Sequence, residues 1–168
     1  MANTYQFIAS NTVGSGGVAS VTFSSIPSTY TDLIIKVSAR DSYASPWRDL
    51  GISFNGVTTN RTGILLYGNP TTVGSYSVTT GDIAFENSST STANTFNNAE
   101  FYIPNYASAN YKSVSVDSVT ENNAATALAN TAAGLWSSTS AITSVTLTSL
   151  GGTIAQYSNF YLYGIKKP

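Results

Sequence analysis

Apolar and polar residues alternate with a period of two along nearly the whole chain, the pattern of half-buried β-strands. Tyr5, Phe7 and Ala9 alternate with Gln6, Ile8 and Ser10. Ala19, Val21 and Phe23 alternate with Ser20, Thr22 and Ser24. Leu33, Ile35, Val37 and Ala39 form one face of the clearest strand, with Lys36, Ser38 and Arg40 on the other. Leu50, Ile52 and Phe54 open the next. Gly63 to Tyr67 is fully apolar, which predicts burial. Tyr76 and Val78 mark a short strand, and Asp82 to Glu86 carries Ile83 and Phe85 inward. Ala99, Phe101 and Ile103 follow. Tyr111 to Glu121 is a strand on which Val119 lies off the register of Val114 and Val116, predicting a bulge near Asp117 or Ser118. Thr143, Val145 and Leu147 precede the closing run Phe160–Ile165.

Turn residues punctuate these runs. Gly14-Ser-Gly-Gly17 is a flexible turn, and Pro27 ends the second strand by fixing its own φ and restricting Ile26. Asn55-Gly56 supplies the two positive-φ residues of a type I′ hairpin. Asp41 to Asp49, Gly68 to Gly74 and the polar stretch Asn87–Asn94 read as loops. Asn122 to Trp136 is Ala-rich, which favours helix, but it has no helical spacing of large apolar residues. It is read as strand and loop, with a short helix as the alternative. The expectation is one domain over residues 1–168. Its class is all-β, an antiparallel β-sandwich of nine to eleven short strands, jelly-roll-like, with the terminal strands paired. No fixed-period repeat suggests a propeller or solenoid.

Composition narrows the chemistry. The 168 residues include 7 basic and 8 acidic side chains, no His and no Cys. Zinc fingers, Cys-His pairs and Ser-His-Asp triads are thereby excluded. A net charge of −1 argues against a phosphate-tracking surface, so nucleic acid is not an expected partner. Ser, Thr and Asn account for 63 residues, so hydroxyls and amides replace charge at the surface, a composition that favours association. No basic start with an apolar run marks a signal peptide, and no aliphatic run approaches bilayer length, so neither secretion nor a membrane is expected. Asn60-Arg-Thr62 and Asn87-Ser-Ser89 match the glycosylation pattern as chance in such a chain.

Candidate catalytic groups are sparse. The carboxylates Asp32, Asp41, Asp49, Asp82, Glu86, Glu100, Asp117 and Glu121 are mostly at strand ends or outward positions, where solvated acids belong, so no acid/base pair is expected. Lys36, Lys112, Lys166 and Lys167 sit in no Ser-x-x-Lys context. No calcium-loop spacing and no phosphate-binding glycine loop is present, and no cofactor or metal is expected. The most unusual local feature is Tyr43-Ala-Ser-Pro-Trp-Arg-Asp49. There Trp47 and Arg48 either stack on a sugar or neighbouring subunit, or cap the core with Arg48 paired to Asp41 or Asp49. Tyr102, Tyr106 and Tyr111 are candidates for an interface, a sugar platform or a cover over the sheet end. Trp136 is expected in the core.

Several stretches together resemble small virion structural proteins of tailed bacteriophages, of the kind found in cyanophages. They are Ile26–Arg40, Phe101-Tyr-Ile-Pro-Asn-Tyr106, Lys112–Asn123, Gly134-Leu-Trp136 with Ile142–Leu147, and Gln156–Ile165. The resemblance implies a β-sandwich on the particle, carries no catalytic residue, and leaves head and tail open. The expected function is a non-enzymatic capsid decoration (cement) protein, located in the virion after assembly in the host cytoplasm. Its expected partners are the major capsid protein or another virion protein and further copies of itself, a trimer being favoured. The alternative is a receptor-binding module of a tail fibre or spike that holds host polysaccharide, and a glycan hydrolase ranks last.

Overall fold

The computed structural model describes residues 4–121 and 127–166; Ala124 and Ala125 of the Ala-rich stretch lie outside them. Twelve strands follow one another: β1 (Tyr5–Thr12), β2 (Ser20–Phe23), β3 (Asp32–Ser38), β4 (Trp47–Phe54), β5 (Arg61–Gly68), β6 (Val73–Val78), β7 (Asp82–Asn87), β8 (Asn98–Ile103), β9 (Lys112–Thr120), β10 (Leu128–Trp136), β11 (Val145–Ser149) and β12 (Asn159–Ile165). The class is all-β, as the alternation predicts, with one strand more than the upper expectation. The extra strand comes from Asn122–Trp136, whose second half is β10. Its alternating Leu128, Asn130 and Ala132 face inward.

All named pairings are antiparallel. Eight strands form one sheet in the order β1-β12-β3-β8-β9-β10-β5-β6, and four form a second, β2-β11-β4-β7. The sheets are thus unequal, where a jelly roll divides eight strands between two. The terminal strands pair as expected, Tyr5 opposite Ile165 and Thr12 opposite Asn159. Leu33, Ile35 and Val37 of the large sheet face Leu50, Ile52, Phe54 and Leu147 of the small one. All belong to one continuous core. Trp136 is in that core, its ring 5.4 Å from Phe54.

Three local expectations are corrected or narrowed. β9 has no bulge: Val114, Val116, Ser118 and Thr120 are buried in unbroken alternation, and Val119 belongs to the outer face. The apparent break arises because two polar side chains occupy inward positions. Bulges lie instead between Phe7 and Ala9 and between Leu50 and Gly51. Asn55 and Gly56 do adopt positive φ (53° and 71°) and form the two-residue turn, Val57 N–H donating to the Phe54 carbonyl across an antiparallel bridge, but the turn does not go on to join two strands of one sheet, since β4 and β5 enter different sheets. Finally, only Leu65 of the apolar Gly63–Tyr67 run is buried. Ile64 and Leu66 are 50% and 53% exposed, because no second layer covers the outer face of the large sheet there.

Candidate functional site

Three of the buried polar side chains, Asn97, Ser118 and Asn130, are placed along one strand edge. β7 is the edge of the small sheet, and it packs against β9 and β10 of the large one. An edge strand leaves every second N–H and C=O unpaired, and burying them bare would be costly. Here the large sheet supplies side chains in place of a neighbouring strand. Ser118 Oγ accepts from the Phe85 N–H at 3.0 Å and donates to Asn130 Oδ1. Asn97 Nδ2 donates to the Phe85 carbonyl at 2.7 Å, and Asn130 Nδ2 to the Ile83 carbonyl at 3.1 Å. Asn97 also accepts from the Ala39 N–H at 2.6 Å. The β7 edge is then closed by the main chain, Asp41 N–H donating to the Asn87 carbonyl. Three side chains that would otherwise look misplaced thus knit the two sheets together.

Beyond this edge lies a buried pair of acids, which corrects the expectation that the carboxylates are solvated. Asp41 is 1% exposed and Glu86 fully enclosed. Asp41 accepts from the Ser88 hydroxyl, from Ser149 Oγ at 2.8 Å and from the Tyr43 N–H at 3.2 Å. Both Glu86 oxygens lack a hydrogen-bond partner. Burial pushes the Glu86 carboxyl well above its ordinary range, and the charges of Asp41 and Asp49 add to the shift. Glu86 is therefore held neutral, and no substrate reaches it through the fold. Among the described residues, no group of three or more acids is placed to hold a metal ion. No helix there is long and apolar enough to cross a membrane.

Above the acids, the predicted recognition residues divide. Trp47 is not in a loop; it opens β4, is 37% exposed, and rests on Phe85 with ring centroids 4.6 Å apart. It combines both readings, half support for the core and half surface. The Arg48 guanidinium lies 4.4 Å over the Tyr43 ring and donates to the Leu150 carbonyl, so its partners are a ring and a backbone oxygen rather than Asp41 or Asp49. Tyr67 and Tyr76 continue the aromatic surface, and Tyr76 Oη donates to Asp49 Oδ1 at 3.3 Å. Burial raises the Asp49 carboxyl above its usual value despite that bond.

The other three tyrosines are dispersed. Tyr106 is fully buried and donates to the Pro27 carbonyl, so it cannot serve as a surface anchor. Tyr102 lies on the outer face of the large sheet and donates to Asp32 at 3.0 Å. Tyr111 is 60% exposed beyond the end of β8. Tyr43 and Arg48 meet, whereas Trp47, the strand neighbour of Arg48, points to the other face of β4 and packs on Phe85; among the described residues neither Tyr102 nor Tyr111 makes a ring contact with any of them.

Sequence reasoning missed Arg40. Its guanidinium donates to the carbonyls of Ser89, Ser91, Thr92 and Thr95 and so organises the polar Asn87–Asn94 stretch. A lone cation opposite a long uncharged loop was the available signal. The outer face of β5, β6, β10 and β9 was missed as well. It exposes Ile64, Leu66, Leu135 and Val119, the first three lining two shallow depressions of about 620 and 510 Å³. No family model, no curated protein and no solved structure matches the chain.

Proposed function

We propose that the chain is a non-enzymatic structural protein of a phage particle, a decoration protein that binds the outer capsid surface and stabilises the head. The observation that carries this reading is the outer face of the eight-stranded sheet. Ile64, Leu66, Leu135 and Val119 are exposed together with no layer over them. The ion pair Lys36–Glu100 and Asp117 supply the few charges near its centre. Such a weakly charged face suits burial against a protein surface. The resemblance of the strand sequences to small virion proteins supports the same reading.

Copy number per purified particle tests it. Hundreds of copies, with deletion of the gene lowering the temperature or osmotic shock the particle survives, are expected. A few copies per particle, or unchanged survival of the deletion phage, would overturn the proposal.

A second reading, a tail module holding host polysaccharide, draws on the partly exposed Trp47, whose aromatic surface runs over Phe85 to Tyr67 and to Tyr76 with its bond to Asp49. An aromatic plane beside a hydroxyl and a carboxylate offers a sugar both an apolar face and hydrogen-bond partners. A glycan array with wild type and Trp47→Ala decides it: sugar affinity lost in the variant supports the platform, and no affinity in either protein removes it.

A further inference from the structure

The free edge of the large sheet is built to pair with itself. β6 reads Val73-Gly-Ser-Tyr-Ser-Val78. It carries no charge and no proline, and its pairing with β5 has no bulge. Those are the devices by which exposed edges are normally blunted. The opposite edge, β1, has a bulge between Phe7 and Ala9, and the small sheet's free edge, β2, is only four residues long. Among the described strands, β6 is the free edge that carries none of these devices, at the rim of a wide sheet.

The hydrogen-bond alternation shows which groups are available. Asn69 N–H donates to the Thr72 carbonyl at the closing turn. In an antiparallel pair, hydrogen-bonded and non-bonded positions alternate from there. Gly74, Tyr76 and Val78 therefore bond to Tyr67, Leu65 and Gly63 of β5. The N–H and C=O groups of Val73, Ser75 and Ser77 point away from the sheet.

We propose that two copies of this chain pair through β6, antiparallel, with Ser75 opposite Ser75 on a two-fold axis. That register sets Val73 opposite Ser77 and exchanges about six main-chain hydrogen bonds across the axis. It also sets Gly74 of each copy opposite Tyr76 of the other. Gly74 already lies beneath the Tyr67 ring, so close that a Cβ there would come within 2.6 Å of its hydroxyl. Tyr76 of one copy thus meets a glycine covered by the other copy's Tyr67, extending the Tyr67–Tyr76 ring contact across the boundary. Val73, 84% exposed in the single chain, gains Ser77 and the flanking Ile64 of the second copy. With no charge on β6, nothing repels an identical strand. The result is a continuous sixteen-stranded sheet. This contact is independent of the virion reading, and its two-fold symmetry differs from the trimer the sequence suggests.

Sedimentation of the purified full chain from micromolar to hundreds of micromolar tests it. A dimer is expected for wild type. Ser75→Pro removes an outward N–H that β5 does not use, a position where an edge strand tolerates proline. It should raise the dimer dissociation constant at least about tenfold. Ser75→Lys should do the same by placing like charges face to face, and mixing it with Ser75→Glu should restore a heterodimer. Hydrogen exchange at Ser75 and Ser77 should be slowed in wild type and rapid in Ser75→Lys. A monomeric wild type, a trimer, a dimer that survives both substitutions, or failure of the Lys and Glu variants to associate would each overturn the proposal.

Discussion

Ser118→Ala isolates the device that holds the two sheets together. The hydroxyl is 1% exposed and serves two partners at once, the Phe85 N–H and Asn130 Oδ1. Removing it leaves the amide of an enclosed edge strand without an acceptor, and the Asn130 oxygen without its donor. Each buried polar group stranded in this way costs about 1–3 kcal/mol. The methyl group of alanine fits where the Cβ already sits, so no overpacking offsets the loss. The expected destabilisation is about 2–4 kcal/mol, a large share of the roughly 5–15 kcal/mol typical of a domain. At about 2–4 °C per kcal/mol for a chain of this size, the melting temperature should fall by roughly 5–15 °C. Urea unfolding followed by tryptophan fluorescence checks it: the midpoint should drop with the slope unchanged. Ser115→Ala, on the outer face of the same strand, is the control and should change stability by less than about 0.5 kcal/mol. A double-mutant cycle with Asn130→Ala should show strong coupling, because both side chains serve one network. Ser118→Ala no more destabilising than Ser115→Ala would refute the view that side chains replace a strand along β7.

Three further outcomes follow from the same geometry. Glu86→Gln should stabilise the protein near neutral pH. The folded state holds this acid protonated while the unfolded chain ionises it, so wild type loses stability as pH rises from the ordinary carboxyl value, about 4.3, toward the raised folded value; unfolding curves at pH 3.5 and pH 7 should differ in their Glu86→Gln effect, and an equal effect at both would contradict a neutral Glu86. Tyr106→Phe should cost about 1 kcal/mol by removing the bond to the Pro27 carbonyl, read by denaturant midpoint, with no effect on self-association. Gly164→Ala should destabilise by about 1–3 kcal/mol, since the added Cβ would fall on the Tyr30 ring; thermal melting at or above the wild-type temperature would show that the ring moves aside freely.

What the chain's alternation determined by itself was local: which residues are extended, which face of each strand is apolar and where the chain turns. Leu33, Ile35 and Val37 could be assigned inward, the Phe160–Ile165 run could be paired with the N-terminal strand, and Trp136 could be placed in the core. All of these depend on a pleat whose period is two, or on side chains too large to leave in water. The recognition surface was legible only in part. Tyr43 and Arg48 are near one another in sequence and meet in space, whereas Trp47 turns to the other face of its strand to pack on Phe85, and Tyr106 looked like a surface residue until Pro27, 79 positions earlier, accepted its hydroxyl. The tertiary structure alone decided which sheet each strand entered, and therefore which faces were covered. That is why Ile64 and Leu66, apolar and expected inside, are exposed, and why Ser118 and Asn130, polar and apparently out of register, are buried. A polar side chain can be buried only if a partner is brought to it. For Ser118 and Asn130 part of that partner set is the backbone of β7, about 30 to 50 residues away, so no local pattern announces it.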